Sequence, residues 1–173
     1  MCDIDNSMIK ALYSPIASQP HLAAKHLYGQ FIGSWQGKIR SETDGSSSLN
    51  ITIDIAWVLE GQAIQDVWLV TPTINEDSST NSHSYKATTL RSYNPETEQW
   101  HVQWCDPLNN DTHTRIGYAA NNEVIEDFYD KEHLANQICL SEITPRTFHW
   151  RHQQLIHQQW QTIAYGIFQR TDE

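Results

Sequence analysis

Leu49, Ile51, Ile53, Ile55 and Trp57 alternate with Asn50, Thr52, Asp54 and Ala56. Side chains two apart on an extended chain share a face, so this stretch is a strand with one buried side. The same period recurs through the chain. Trp35, Gly37, Ile39 and Ser41 share a face against Gln36, Lys38 and Arg40. Ile64, Asp66, Trp68 and Val70 oppose Val67 and Leu69, so the strand at 63–71 is partly apolar on both sides and touches two layers, or a core and a ligand. Residues 86–93 and 99–105 form a pair about the Asn94-Pro95-Glu96-Thr97-Glu98 turn, where Asn caps its own backbone and Pro sets φ. Trp100, Val102 and Trp104 then share one face, and His101, Gln103 and Cys105 the other. Further runs at 112–119, 123–129, 136–143, 147–152 and 157–170 are separated by turn residues at Asn109-Asn110, Asn121-Asn122, Asp130-Lys131-Glu132-His133 and Pro145-Arg146. About ten short antiparallel strands in succession predict an all-β fold, a single up-and-down barrel, with a sandwich as the alternative.

Residues 1–33 differ. Met8, Ile9, Leu12 and Tyr13 have helical spacing before Pro15 and Pro20 interrupt. Residues 21–33 read as a short helix with Leu22, His26, Leu27 and Phe31 on one side and Gly33 as its stop. It either caps an end of the barrel or packs outside it. The expected organisation is one domain: an N-terminal helical segment at 1–33, then the barrel at 34–173. Residues 72–84 form a polar loop.

Composition removes several function classes. A formal charge of −10 opposes general binding to nucleic acid. No window reaches the length of a membrane-spanning helix, and the first residues lack a signal-peptide pattern. Three cysteines, Cys2, Cys105 and Cys139, fit a reduced, cytoplasmic protein. No cofactor is expected: zinc spacing, phosphate loops, dinucleotide fingerprints and serine elbows are missing. With 39% hydrophobic residues but seven Trp and seven Tyr, much of the apolar surface is carried by large aromatic side chains with a polar tip.

Several motifs follow one another in order: Phe31-Ile32-Gly33-Ser34-Trp35-Gln36-Gly37, Trp57-Val58-Leu59-Glu60-Gly61 with Gln65-Asp66-Val67-Trp68, and Thr88-Thr89-Leu90-Arg91-Ser92-Tyr93-Asn94-Pro95 with Trp100 and Trp104. Ile143-Thr144-Pro145, Phe148 and Trp150 continue the series, which spans most of 27–168. Together they resemble the bacterial lipocalin-like proteins of unknown function in the calycin superfamily. The resemblance implies a barrel that holds a small apolar or amphipathic guest. Related haem-binding barrels use a C-terminal His, which makes His149, His152 and His157 candidates under that resemblance.

The residues themselves point to a site of Trp68, Arg91, Trp104, Arg115, Trp150 and Trp160: aromatic walls and one or two guanidinium groups to clamp an anionic head. Core packing for the tryptophans and outer-face salt bridges for the arginines are the plainer readings. His101 becomes a base or ligand if its face is the inner one. Asp54, Asp66, Glu126 and Asp127 lie within strands, and an acid buried beside Arg91 or Arg115 would carry a shifted pKa. Three functions are therefore expected to compete: binding of a small hydrophobic or amphipathic molecule, an isomerase or hydrolase using an inward acid or base beside Arg, and haem binding. If Arg91 is a clamp, Arg91→Ala should abolish binding with little change in melting temperature. A barrel rim or exposed aromatic face would support a homodimer.

Overall fold

The computed structural model describes residues 7–43, 48–73, 83–130 and 133–171. The turn at 44–47, most of the polar loop (74–82), Lys131, Glu132 and Cys2 lie outside them. Two short helices, α1 (Ser7–Leu12) and α2 (Leu22–Gly29), flank a two-residue strand, β1 (Tyr13–Ser14). Ten longer strands follow: β2 (Gly33–Ser41), β3 (Ser48–Val58), β4 (Ala63–Pro72), β5 (Tyr85–Asn94), β6 (Gln99–Asp106), β7 (Asp111–Ala120), β8 (Glu123–Asp130), β9 (His133–Ser141), β10 (Thr147–Ile156) and β11 (Gln159–Arg170). Each pairs antiparallel with the next in sequence, and β11 returns to pair with β2. The result is a closed ten-stranded up-and-down antiparallel barrel. β1 pairs with the last two residues of β3, beyond the reach of β2.

The alternation sets the inner face. Trp35, Ile51, Ile53, Ile64, Val70, Trp100, Val102, Val124, Ile138, Phe148 and Phe168 are buried inside. Their odd–even partners Val67, Leu69, His101, Gln103 and Ile167 are exposed. His101 is thus on the outside, where its Nε2 lies 3.5 Å from the Asn94 amide nitrogen, and is not an inner base. The chain from 147 to 170 also departs from expectation. β10 runs on to Ile156, and the turn falls at His157–Gln158, both with positive φ. That backbone suits the twist of a two-residue hairpin, yet neither residue type announces it.

The helix α2 closes one end of the barrel. Its inward residues are Lys25, Tyr28 and, just past it, Phe31, whereas Leu22 is half exposed. Tyr28 and Phe31 reach the interior and pack edge-on against Trp100 (4.9 Å) and Phe148 (5.2 Å). The Lys25 ammonium bonds to Ser18 and to the Gly61 carbonyl (3.2 Å), tying the helix to the β3–β4 turn. Gly61 is obligatory there. Its φ is +76°, and a Cβ would lie 2.4 Å from the Ile16 carbonyl oxygen.

Candidate functional site

Strand register brings four charged side chains to one level of the interior. Arg91 on β5 and Arg115 on β7 both pair with Val102, which lies between them on β6. Glu126 on β8 stands opposite Gly117, two residues along from Arg115. Asp66 on β4 stands opposite Thr89, two residues from Arg91. Directly paired residues are about 5 Å apart and diagonal ones about 7–8 Å, within reach of a guanidinium. Val102 is too short to intervene, so both arginines lean towards the same carboxylate.

The bonds run as one chain. Arg91 binds Asp66 through Nη1 and Glu126 through Nε (3.0 Å). Arg115 donates from Nη1 to the other oxygen of Glu126 (2.8 Å). Asp66 also accepts from the Thr89 backbone N–H (2.8 Å) and the Trp68 indole (2.9 Å). Asp66, Arg91 and Glu126 are all buried. Burial alone would push the Glu126 pKa up, but Arg91 and then Arg115 outweigh it and hold Glu126 below the ordinary carboxylate value. Burial opposes the charge on Arg91 too, but Glu126 and Asp66 overcome it and raise its pKa. Two positive and two negative groups therefore form a neutral, fixed polar floor.

From Arg115 the chain continues to the rim. Arg115 Nε donates to His113 Nε2 (2.9 Å), so that nitrogen carries no proton. The proton sits on Nδ1, which faces Asp111 Oδ1 (3.0 Å). Burial and then Arg115 lower the His113 pKa, in keeping with the neutral ring. Asp111 also accepts from the Trp104 indole (3.0 Å). His113 stacks on Phe128 (4.8 Å), and His152 leans on the same ring from β10 (5.6 Å). Burial, then Arg115 and His113, bring His152 down to about 4. Register shifts at Phe128/Tyr129 and at His152/Gln153 lie beside this cluster, where bulges commonly re-aim side chains.

Above the floor lies a cavity of about 40 Å³, lined by Tyr28, Phe31, Ile64, Trp68, Phe148 and Trp150 among others, with Asp66, Arg91, Arg115 and Glu126. That is room for one or two water molecules or a small head group, well short of the roughly 300 Å³ of a drug-sized site. Of the residues expected at the site, Trp68, Arg91, Arg115 and Trp150 line this cavity. Trp104 is one layer away, edge-on to Trp68 (5.7 Å) and beneath the Arg115 guanidinium (5.5 Å). Trp160 pairs with the exposed Leu155 beside the β10–β11 turn and is not among the cavity residues. Of the four strand acids expected as candidates, Asp66 and Glu126 face inward. Asp54 meets Ser34 at the surface, and Asp127 meets Tyr118 and Gln137 on the outward side of β8. The expectation for Arg91→Ala also changes. An arginine holding two buried carboxylates cannot be removed without cost to the fold.

Tyr28 was not expected at all. Its ring lies under the Arg91 guanidinium (5.0 Å), and its buried hydroxyl meets no partner in hydrogen-bond geometry. Burial and then the nearby Glu126 raise its pKa well above the ordinary value, so the phenol keeps its proton. Gly117 makes the space, since a Cβ there would fall 2.2 Å from the hydroxyl oxygen. Gly117→Ala should therefore push the phenol off its position and cost about 1–3 kcal/mol, read as a lower urea midpoint at an unchanged slope. An unchanged midpoint would show that the phenol has room to spare.

Among the C-terminal histidines, His157 lies exposed on the turn and His149 on the outward face. His152 faces the rim, where its Nε2 meets Asn136 Oδ1 (3.2 Å). Among the described residues no cluster of three metal-binding side chains occurs. Cys139 is buried between Gln137 and Gln153, and burial lifts its thiol to about 11, which leaves it unreactive. No helix among the described residues is long and apolar enough to cross a membrane.

No family model and no curated protein matches this sequence. Solved structures do. Rv2717c from M. tuberculosis aligns over 92% of this chain and 99% of its own, with a TM-score of 0.57 and 10% identity. The S-type phycobiliprotein lyase CPES from Guillardia theta covers 90% of this chain and 99% of its own, with a TM-score of 0.45 and 11% identity. The first likeness establishes a shared antiparallel barrel. Fold does not carry function with it, and at these identities the site must be judged on its own chemistry.

Proposed function

We propose that this protein is a lipocalin-like binder that takes a small amphipathic molecule into the barrel. The polar head sits on the Arg91–Glu126–Arg115 floor, and the apolar body lies against Trp68, Phe148 and Trp150. One observation carries the reading: a charge-balanced ionic network buried under an aromatic cavity. Apolar residues of similar volume would hold a barrel together as well or better, so such a network is costly unless it has a use. Acid–base catalysis is less well supported. Glu126 is held as a weakly basic carboxylate, and both nitrogens of His113 already have partners. The half-buried Trp68 and Trp150 are the side chains that must give way for anything larger than a head group.

Native mass spectrometry of freshly purified protein should show one added small-molecule mass, lost on denaturation. Titrating stripped protein with eight-carbon amphiphiles should change tryptophan emission and saturate at one equivalent. A chain that carries nothing and answers to none of them is not a binder of this kind.

A further inference from the structure

The charge balance of the floor and the position of Tyr28 say what kind of head group belongs there, given the binding reading above. Arg91 and Arg115 look like an anion clamp in sequence. In the fold their charges are matched by Asp66 and Glu126. A guest carboxylate would be a third anion in a cavity already walled by two, within a chain of formal charge −10. A guest ammonium would meet two guanidinium groups that do not titrate away.

The interior also holds a hydroxyl that no side chain engages in good hydrogen-bond geometry. Among the described residues, two buried side-chain polar atoms have no partner: the Tyr28 hydroxyl and Arg151 Nε. Arg151 lies on the outward face, bound to Glu123 (2.7 Å). Tyr28 lines the cavity and is 2% exposed. Its aim is fixed from three sides: Arg91 over the ring, Trp100 against its edge, and the bare Cα of Gly117 beside the oxygen. Glu126 lies near this hydroxyl but outside good hydrogen-bond geometry, which leaves a standing cost that a guest oxygen would remove.

We propose that the guest carries an uncharged oxygen head, a carbonyl or hydroxyl, and that Tyr28 donates the hydrogen bond that recognises it. The floor then acts as a rigid dipolar surface rather than as an ion-exchange site. Tyr28 becomes the residue that decides specificity.

Four probes of equal chain length separate these ideas: octan-2-one, octan-1-ol, octanoate and octylammonium, followed by tryptophan emission at pH 7.5 in wild type and in Tyr28→Phe. The ketone and alcohol should bind, and octanoate should be weaker by about tenfold or more, the scale of one buried polar mismatch. Tyr28→Phe should weaken ketone binding by about 3–10-fold, the worth of a neutral hydrogen bond, while leaving the weak octanoate binding unchanged. Its melting temperature should hold or rise, because the hydroxyl it loses meets the nearby Glu126 outside good hydrogen-bond geometry in the free protein. Gly117→Ala, which displaces the same hydroxyl, should reproduce the loss of ketone affinity.

Octanoate binding as tightly as the ketone would overturn the proposal while leaving the barrel a binder. So would ketone affinity that ignores Tyr28→Phe, or a melting temperature that falls in that variant. Failure of all four probes to bind would overturn it together with the binding reading.

Discussion

Arg91→Ala is expected to cost about 3–5 kcal/mol, because it leaves two buried carboxylates without their shared cation. For a chain of this size that corresponds to a fall of roughly 10 °C in melting temperature. The guanidinium holds Asp66 on one side and Glu126 on the other, and all three are buried. Removing the charge in the whole group should hurt far less than removing Arg91 alone. A triple variant, Arg91→Met with Asp66→Asn and Glu126→Gln, should recover most of the lost stability. Chemical denaturation of the two variants side by side measures the difference. If Arg91→Ala melts within 2 °C of wild type, a threshold on the order of 1 kcal/mol, the carboxylates are not committed to it.

Acid should weaken the fold in two adjoining stages. His152 has its pKa brought down to about 4 from the ordinary 6.5, first by burial and then by Arg115 and His113. The unfolded chain therefore takes up the proton first. Stability is full above pH 6.5 and declines as pH falls towards 4. It stops declining on this account once folded His152 is itself protonated. His113, lowered for the same reasons, acts in the same direction, and protonating its Nε2 would also set two donors face to face with Arg115. Glu126 behaves as a depressed carboxylate. Its contribution is present above 4.5 and is lost as pH falls through its lower folded value. Allowing for partial solvent screening, His152 alone should account for on the order of 2 kcal/mol between pH 6.5 and 4. Urea midpoints measured across that range should fall steadily in wild type and less steeply in His152→Gln. A flat wild-type profile down to pH 4.5 would mean that His152 is not held neutral.

The barrel was legible in the sequence because its signal is redundant. A period of two repeated over ten strands survives errors at any single turn. The face of Lys86 to Asn94 was not legible, since Arg91 and Leu90 are equally good strand residues and only pairing with Ile64 and Val102 turns Arg91 inward. Glu126 had a usable signal: it stands between Val124 and Phe128 on an otherwise apolar face, which marks a buried acid that needs a partner. Tyr28 escapes a reading of this helix that places Leu22, His26, Leu27 and Phe31 on one side. The spacing Lys25, Tyr28, Phe31 is equally helical, but it buries an ammonium. Here the ammonium is absorbed by Ser18 and the Gly61 carbonyl. The neutrality of the floor could not be read at all, since it depends on which residues from four separate strands meet at one height.

The return of β11 to β2 has a consequence for how copies of this chain can associate. A sheet joined to itself leaves, among the described residues, only short lengths of open strand edge, at β1 and at the tip of the β10–β11 hairpin, so ordered polymerisation by strand addition has little to build on. A dimer would then rest on side chains, such as the exposed Val67, Leu69 and Ile167 of the outer wall, and single substitutions there should dissolve it while leaving the barrel interior intact.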